Sequence, residues 1–213
     1  MRFKDRSEAG KQLALALEKY RDQPAVVYAL PRGGVVLAVE IAKALHLPLD
    51  LIIPRKIGHP YNPEYAIGAV SEDGEPVYND WEIARLDRHW LENQVNSERR
   101  EARRRREQYL QGREPLPIAG KTAILVDDGI ATGLTMLAAI RDIKKRQPGR
   151  VVVTIPVAPE DTVERLLQEA DEVVGLDITA HYLGAVGAYY DHFPQVSDAE
   201  VIRLMQPAPS PQV

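Results

Sequence analysis

The segment KTAILVDDGIATGLTMLAAIRDIKK, residues 121–145, restricts the possible folds more than any other part of the chain. Ala123–Val126 is a short apolar run with β-branched members, as in a buried strand. It ends at two adjacent carboxylates, Asp127 and Asp128, and from Gly133 to Ile140 the apolar residues recur at helical spacing. The order is therefore strand, acidic edge, small-residue loop, helix. A helix that starts directly after a tight loop presents unpaired backbone N–H groups and the positive end of its dipole, which together favour a phosphate. Gly129, Ala131 and Gly133 keep side chains clear of an approaching anion. Thr132 and Thr135 add hydroxyl donors.

The acid pair is the informative oddity. Two unit charges ~4 Å apart repel by ~1 kcal/mol in water and ~4 kcal/mol at the effective dielectric of a protein surface. A strand end that keeps both calls for hydrogen-bond donors or a cation, and sugar hydroxyls and Mg²⁺, which takes hard oxygen ligands, answer to that chemistry. An ordinary helix cap would need one Asp or Thr, not two of each around three small residues.

The whole chain sets wider bounds. Its 213 residues suffice for one domain, or a core with a small appendage. Net charge is −4, so nothing draws the chain as a whole toward nucleic acid or membrane. There is no cysteine, which excludes disulfides and thiolate metal sites. The N-terminus MRFKDRSEAGK is charged and lacks the apolar centre of a signal peptide, and no apolar run approaches the ~20 residues needed to span a bilayer. The expectation is a cytoplasmic protein with no membrane partner.

Around the central segment the chain alternates helix and strand. Residues 7–20 read as a helix capped by Ser7, Ala25–Leu30 as a strand, Val35–Leu45 as a helix and Leu49–Ile53 as a strand. Further on, Arg150–Val157 reads as a strand, Asp161–Glu169 as a helix capped by Asp161 or Thr162, and Glu172–Leu176 as a last short strand. That rhythm predicts an α/β fold, an open and mostly parallel sheet with helices on both faces, whose ligands sit at the carboxyl ends of the strands. The turn PRGG, Pro31–Gly34, lies at one such end and exposes backbone N–H groups beside Arg32.

Residues 54–74 carry three prolines, together with Gly58 and Gly68, and read as a long mobile loop. Ile67–Ser71 and Pro76–Asn79 flank a turn signal, Glu72–Glu75. Asp80 then caps what reads as one long helix to about Leu110, a helical hood inserted over the mouth of the sheet. Six arginines crowd its second half, 97–108, with Glu98, Glu101 and Glu107 between them at helical pairing distances. Without an aromatic stacking platform this reads as a solvated or dimer-facing helix rather than a nucleic-acid contact. The expected organisation is a core of 1–79 with 112–206, a hood of 80–111, and a disordered tail of 207–213. Tyr189, Tyr190 and Phe193 cluster near Asp191 in an otherwise aromatic-poor chain, and could face a nucleobase or simply pack a core.

VDDGIATGLT, residues 126–135, resembles the phosphoribosyl-pyrophosphate (PRPP) signature of type I phosphoribosyltransferases. In that family the acid pair holds the ribose 2- and 3-hydroxyls and the loop wraps the 5-phosphate. The resemblance puts Asp127 and Asp128 on the ribose, with Mg²⁺ held indirectly through its hydroxyls or water. It puts Ala131, Thr132, Gly133, Leu134 and Thr135 on the phosphate. It also implies that Arg32, Gly33 and Gly34 hold the pyrophosphate, with a non-proline cis peptide near Pro31–Gly33. The sequence RKIG from Arg55 is similar to a catalytic loop of the adenine branch, which puts Arg55 and Lys56 on the leaving group and Glu64 at the base. An N-terminal F-x-D-R-x-x-A-G, Phe3 to Gly10, together with PRGG and RKIG, resembles a group of bacterial phosphoribosyltransferases across nearly all of the chain, to about Met205.

The resemblance implies transfer of 5-phosphoribosyl from PRPP to a nucleobase or base-like amine with release of pyrophosphate. It implies Mg²⁺ as cofactor, PRPP and a small base as ligands, and a homodimer if Arg55 or Lys56 is lent to a neighbour. The hypoxanthine-guanine branch carries an acid where this chain has Ala131, whereas adenine enzymes share the alanine. The competing reading is a PRPP- or nucleotide-sensing protein without catalysis; retention of both PRGG and RKIG favours the enzyme. A phospho-acceptor reading of the acid pair would not need the Thr-Gly loop.

Overall fold

The computed structural model describes residues 1–206; the tail expected to be disordered, 207–213, lies outside the described residues. Helix α1 (Arg6–Ala16) opens the chain, followed by a 3-10 turn at Glu18–Tyr20, strand β1 (Ala25–Ala29), helix α2 (Gly34–Leu45) and strand β2 (Leu49–Leu51). Next come β3 (Arg55–His59), β4 (Asn62–Val70), β5 (Val77–Tyr78), α3 (Asp80–Ile83) and α4 (Arg88–Leu110). The second half holds β6 (Thr122–Val126), α5 (Leu134–Lys145), β7 (Arg150–Pro159), α6 (Glu160–Leu166), β8 (Glu172–Thr179), a 3-10 turn at Val186–Tyr189, and α7 (Asp198–Met205).

Five of these strands form one sheet in the order β2-β1-β6-β7-β8, every pair parallel, as the alternation of helix and strand requires. Successive side chains of a strand point to opposite faces, and both faces are buried. Val27, Ala29, Ile124 and Val126 join the core under α1, α2 and α7. Val26, Tyr28, Ala123 and Leu125 join the core under α5 and α6. Strands β1 and β6 are neighbours whose following helices lie on opposite faces, and the crevice of such a sheet opens at that point, beyond the carboxyl ends of the strands.

The remaining three strands form a small antiparallel sheet, β3-β4-β5. This corrects the expectation of an unstructured loop over 54–74. The prolines misled because they fall where a hairpin tolerates them: Pro60 sits in the turn, and Pro63 in a stretch where the register shifts around Gly58. A Cβ on Gly58 would lie 2.2 Å from the carbonyl oxygen of Pro63, so only glycine admits that crossing. Ile57, Ile67 and Val70 of this sheet bury against Val95 of α4, with Trp90 and Leu91 packed at the margin.

Three helix starts also differ from expectation. Asp5, not Ser7, caps α1, accepting from the Glu8 N–H at 2.9 Å. The hood is two helices rather than one: Asn79 caps α3, the chain turns at 84–87, and Asp87 restarts it by accepting from Trp90 N–H at 2.7 Å. Helix α6 begins at Glu160 behind Pro159 with no side-chain cap, and Asp161 only accepts from the N–H of Thr162.

The arginine-rich half of α4 is solvated only in part: Arg100, Arg103 and Arg104 are exposed, while others turn inward. Arg106 is buried, donating to Asp50 Oδ1 at 2.9 Å and to the Leu51 carbonyl at 2.6 Å. Arg99 and Arg103 donate to the carbonyls of Gly74 and Glu72, and Arg104 and Arg105 pair with Glu101. So α4 is bolted to the end of β2 and to the turn after β4 through its own arginines.

Candidate active site

The acid pair sits at the carboxyl end of β6, and the PRGG turn at the carboxyl end of its neighbour β1. Their glycines let them touch. A Cβ on Gly33 would fall 1.8 Å from Asp128 Oδ2, and one on Gly34 2.6 Å from the carbonyl oxygen of Val126. The peptide bond between Pro31 and Arg32 is cis, where the resemblance placed it.

The loop after the acid pair is shaped by α6. The Thr162 hydroxyl donates to the Ala131 carbonyl at 2.8 Å, and Arg165 donates to the Thr132 carbonyl. In a trans peptide the N–H points opposite to the preceding carbonyl. Drawing those two carbonyls toward α6 therefore turns the N–H groups of Thr132 and Gly133 the other way, at the start of α5. Gly133 holds a left-handed φ of 75° there, with Thr162 Cγ2 only 2.8 Å from a hypothetical Cβ. The sequence offered Thr162 only as a helix cap and did not mark Arg165 at all; only the fold sets them behind the loop.

The first turn, the acid pair and the loop after it face one cavity of about 850 Å³. It is lined by Arg32 and Gly33 of the first turn, by Arg55 and Lys56 at the start of β3, and by Asp127, Asp128, Ala131, Thr132, Gly133 and Thr135. Gly34 and Leu134 lie one residue further on, as the first residues of α2 and α5. Arg55 and Lys56 reach the cavity of their own chain, so the wall does not need a second copy. The hood adds one stripe of α4, Trp90, Gln94 and Glu98 at successive turns, none of which the sequence marks as a site residue.

The charges are held apart by specific partners. Asp127 accepts the N–H of Asp128 at 2.8 Å, and burial together with the neighbouring Asp128 charge pushes its carboxyl well above the usual carboxylate range. Asp128 Oδ2 instead receives Arg6 Nε at 2.7 Å, an ion pair between nearly buried side chains. Arg55 pairs with Glu98 Oε2 at 2.9 Å. Arg32 lies 3.5 Å from Asp198, whose carboxyl the Tyr109 hydroxyl, donating at 2.7 Å, holds below its ordinary value.

Two groups of expected site residues are not brought to the cavity. Glu64 is exposed on β4, outside the cavity wall to which its neighbour Pro63 contributes. Tyr189 and Tyr190 are buried, and no member of the C-terminal aromatic cluster lines the cavity. The Tyr189 hydroxyl accepts from Leu183 N–H, the Tyr190 hydroxyl donates to the Asp128 carbonyl at 2.6 Å, and the Phe193 ring lies tilted against that of Tyr190 with centres 4.8 Å apart. Burial and the Asp128 charge raise the Tyr190 phenol. Asp191 is exposed and pairs with Arg2. These aromatics are packing behind the acid pair, not an open platform for a base.

For Mg²⁺ the protein offers few ligands of its own. Among the described residues no group of three or more His, Asp or Glu side chains is placed to hold a metal. One oxygen of each acid already has a partner, so most ligands of a Mg²⁺ here would have to be substrate oxygens and water, which is this ion's habit. Among the described residues no helix is long and apolar enough to cross a membrane.

Comparison with known proteins gives the chain a family. The model of the phosphoribosyl transferase domain matches residues 7–192. Two Mycobacterium tuberculosis sequences, from different strains and both named "putative phosphoribosyl transferase", are 42% identical over 209 residues, 97% of this chain. The chain spans about half, 47%, of the length of these curated relatives. A crystal structure of a Thermus thermophilus protein is 43% identical and superposes with a TM-score of 0.80, covering 96% of this chain and 98% of that one. The chain belongs to the phosphoribosyl transferase family.

Proposed function

We propose that the chain transfers the 5-phosphoribosyl group of PRPP to a nitrogen of a nucleobase or base-like amine and releases pyrophosphate. The observation that carries this reading is the shared cavity. The Gly33 turn, the Asp127–Asp128 edge and the Thr132 loop line one space of about 850 Å³, the size of a single nucleotide-like ligand.

In this reading the 5-phosphate lies on the N–H groups of Thr132 and Gly133 and the N-terminus of α5. The ribose hydroxyls meet Asp127 and Asp128. The pyrophosphate lies at Arg32 and Gly33, with Arg55 and Lys56 across from it. Displacement at C1 builds positive charge on the sugar and negative charge on the leaving pyrophosphate, so these residues mainly position and stabilise charge. Mg²⁺ bound through substrate oxygens would supply additional charge neutralisation at the leaving group. Arg32 and Arg55 are held beforehand by Asp198 and Glu98, and a pyrophosphate draws on guanidinium groups already oriented in the crevice. With the C-terminal aromatics committed to packing, an acceptor would meet other cavity groups, Trp90, Gln94, Ile130, His59 and Val186 among them.

The test is pyrophosphate release from PRPP with Mg²⁺ across a panel of purines, pyrimidines and small amines. Release that depends on one acceptor class supports transfer. Tight PRPP binding without release for any acceptor supports a sensor instead.

A further inference from the structure

Arg6 reaches the acid pair from behind the crevice. Its Nε donates to Asp128 Oδ2 at 2.7 Å, its Nη1 donates to the Pro194 carbonyl at 2.7 Å, and its guanidinium carbon lies 3.6 Å from the centre of the Phe193 ring. The side chain is only 10% exposed. The Asp128 main-chain carbonyl accepts from Tyr190. Asp128 is thus held by its side chain and its backbone, by two chain ends that are remote in sequence.

Those two ends are stitched together. Phe3 N–H donates to Tyr189, Asp191 N–H to Phe3 and His192 N–H to Lys4, all through backbone carbonyls at 2.8–3.0 Å. Phe3 is fully buried with its ring 5.5 Å from that of Tyr190. Asp5 caps α1, and Gly10 lets α1 settle on α2, since a Cβ there would lie 2.9 Å from the Leu37 Cα. The separate parts of the motif Phe3-x-Asp5-Arg6-x-x-Ala9-Gly10 therefore fix one thing in common, the place of Arg6.

A carboxylate with one oxygen pinned by a buried guanidinium cannot rotate freely, and its other oxygen has a set direction. Arginine suits this task because its planar fork stacks on an aromatic ring and stays charged, which an ammonium on a flexible stem does not reproduce. We propose that Arg6 is a positioning residue for the sugar: by holding Oδ2 of Asp128 it aims Oδ1 at the ribose diol, and so makes the site distinguish ribose from deoxyribose 5-phosphates. This rests on the ribose role given to Asp127 and Asp128 above.

The experiment is calorimetric titration, with Mg²⁺, of the wild-type chain, Arg6→Gln and Arg6→Lys against ribose 5-phosphate, its 2-deoxy and 3-deoxy analogues, and inorganic pyrophosphate. Wild type is expected to prefer ribose 5-phosphate to at least one deoxy analogue by about tenfold or more, the worth of a hydrogen bond to a charged group. Arg6→Gln should bring that ratio to within about twofold with pyrophosphate affinity unchanged, and Arg6→Lys should restore part of it. A folded Arg6→Gln that keeps the wild-type ratio overturns the proposal. So does an equal loss for every ligand, pyrophosphate included, which is the mark of a merely structural role. If Arg6→Gln does not fold, Phe193→Leu takes its place: it should narrow the ratio, and an unchanged ratio overturns the proposal. A wild-type protein that binds ribose 5-phosphate without any preference overturns the ribose assignment itself, and the proposal with it.

Discussion

Gly33 and Asp128 come so close that a Cβ on the former would overlap a carboxylate oxygen of the latter, 1.8 Å away. Two turns from different strands thus form one surface only because residue 33 lacks a side chain. Replacing it with alanine must move either the turn or the carboxylate. Overpacking of this kind costs about 1–3 kcal/mol, and if the whole cost falls on the liganded state that is about five- to 150-fold in affinity. Gly33→Ala is therefore expected to weaken PRPP binding by that range in a titration; unchanged affinity would show that the two loops do not serve one ligand.

Asp128→Asn removes the charge that Arg6 and the proposed sugar both use. Loss of ribose 5-phosphate and PRPP affinity is expected, with inorganic pyrophosphate binding retained. Equal binding of all three by the variant would contradict the ribose assignment.

The Arg106–Asp50 pair is buried, and removing one partner of such a pair strands a charge at a cost of about 3–5 kcal/mol. Arg106→Met should lower the urea midpoint accordingly, and Asp50→Asn added to it should recover part of the loss because no lone buried charge remains. Additive destabilisation by the two changes would mean that they are not coupled.

Glu72 gives the fold a pH dependence. Burial raises its pKa from 4.5 to about 7, against the opposing pull of Arg106. Because the folded value exceeds the unfolded one, the folded state binds the proton more tightly. The stability that Glu72 contributes is therefore full below about pH 4.5 and is lost as pH rises through about 7. At about 1.4 kcal/mol for each unit, the loss is on the order of 3 kcal/mol. Glu72→Gln should remove this slope and be more stable than wild type at pH 8. Parallel stability curves for the two proteins from pH 5 to 8 would refute the assignment.

What was legible in the sequence was whatever is local. β6, the acid pair, the loop and α5 follow one another within 25 residues, and each announces itself by period, charge or small residues. The parallel sheet followed from the same alternation. What was hidden depends on partners far along the chain: Arg6 is 122 residues from Asp128, and Arg106 is 56 from Asp50. A run of arginines looks alike whether it faces water or a buried aspartate. The hairpin at Arg55–Val70 was concealed by prolines that a bulged register absorbs, and the aromatic cluster by having two equally good uses, of which packing is the one the fold makes.

The central claim is that one molecule is gripped at both ends. A crystal of the chain grown with PRPP and Mg²⁺ measures this directly. The account predicts a single ligand whose 5-phosphate lies within hydrogen-bond distance of the Thr132 and Gly133 N–H groups while its pyrophosphate contacts the Arg32–Gly33 turn. A ligand that touches only one of these loops, with the other facing solvent, would contradict it.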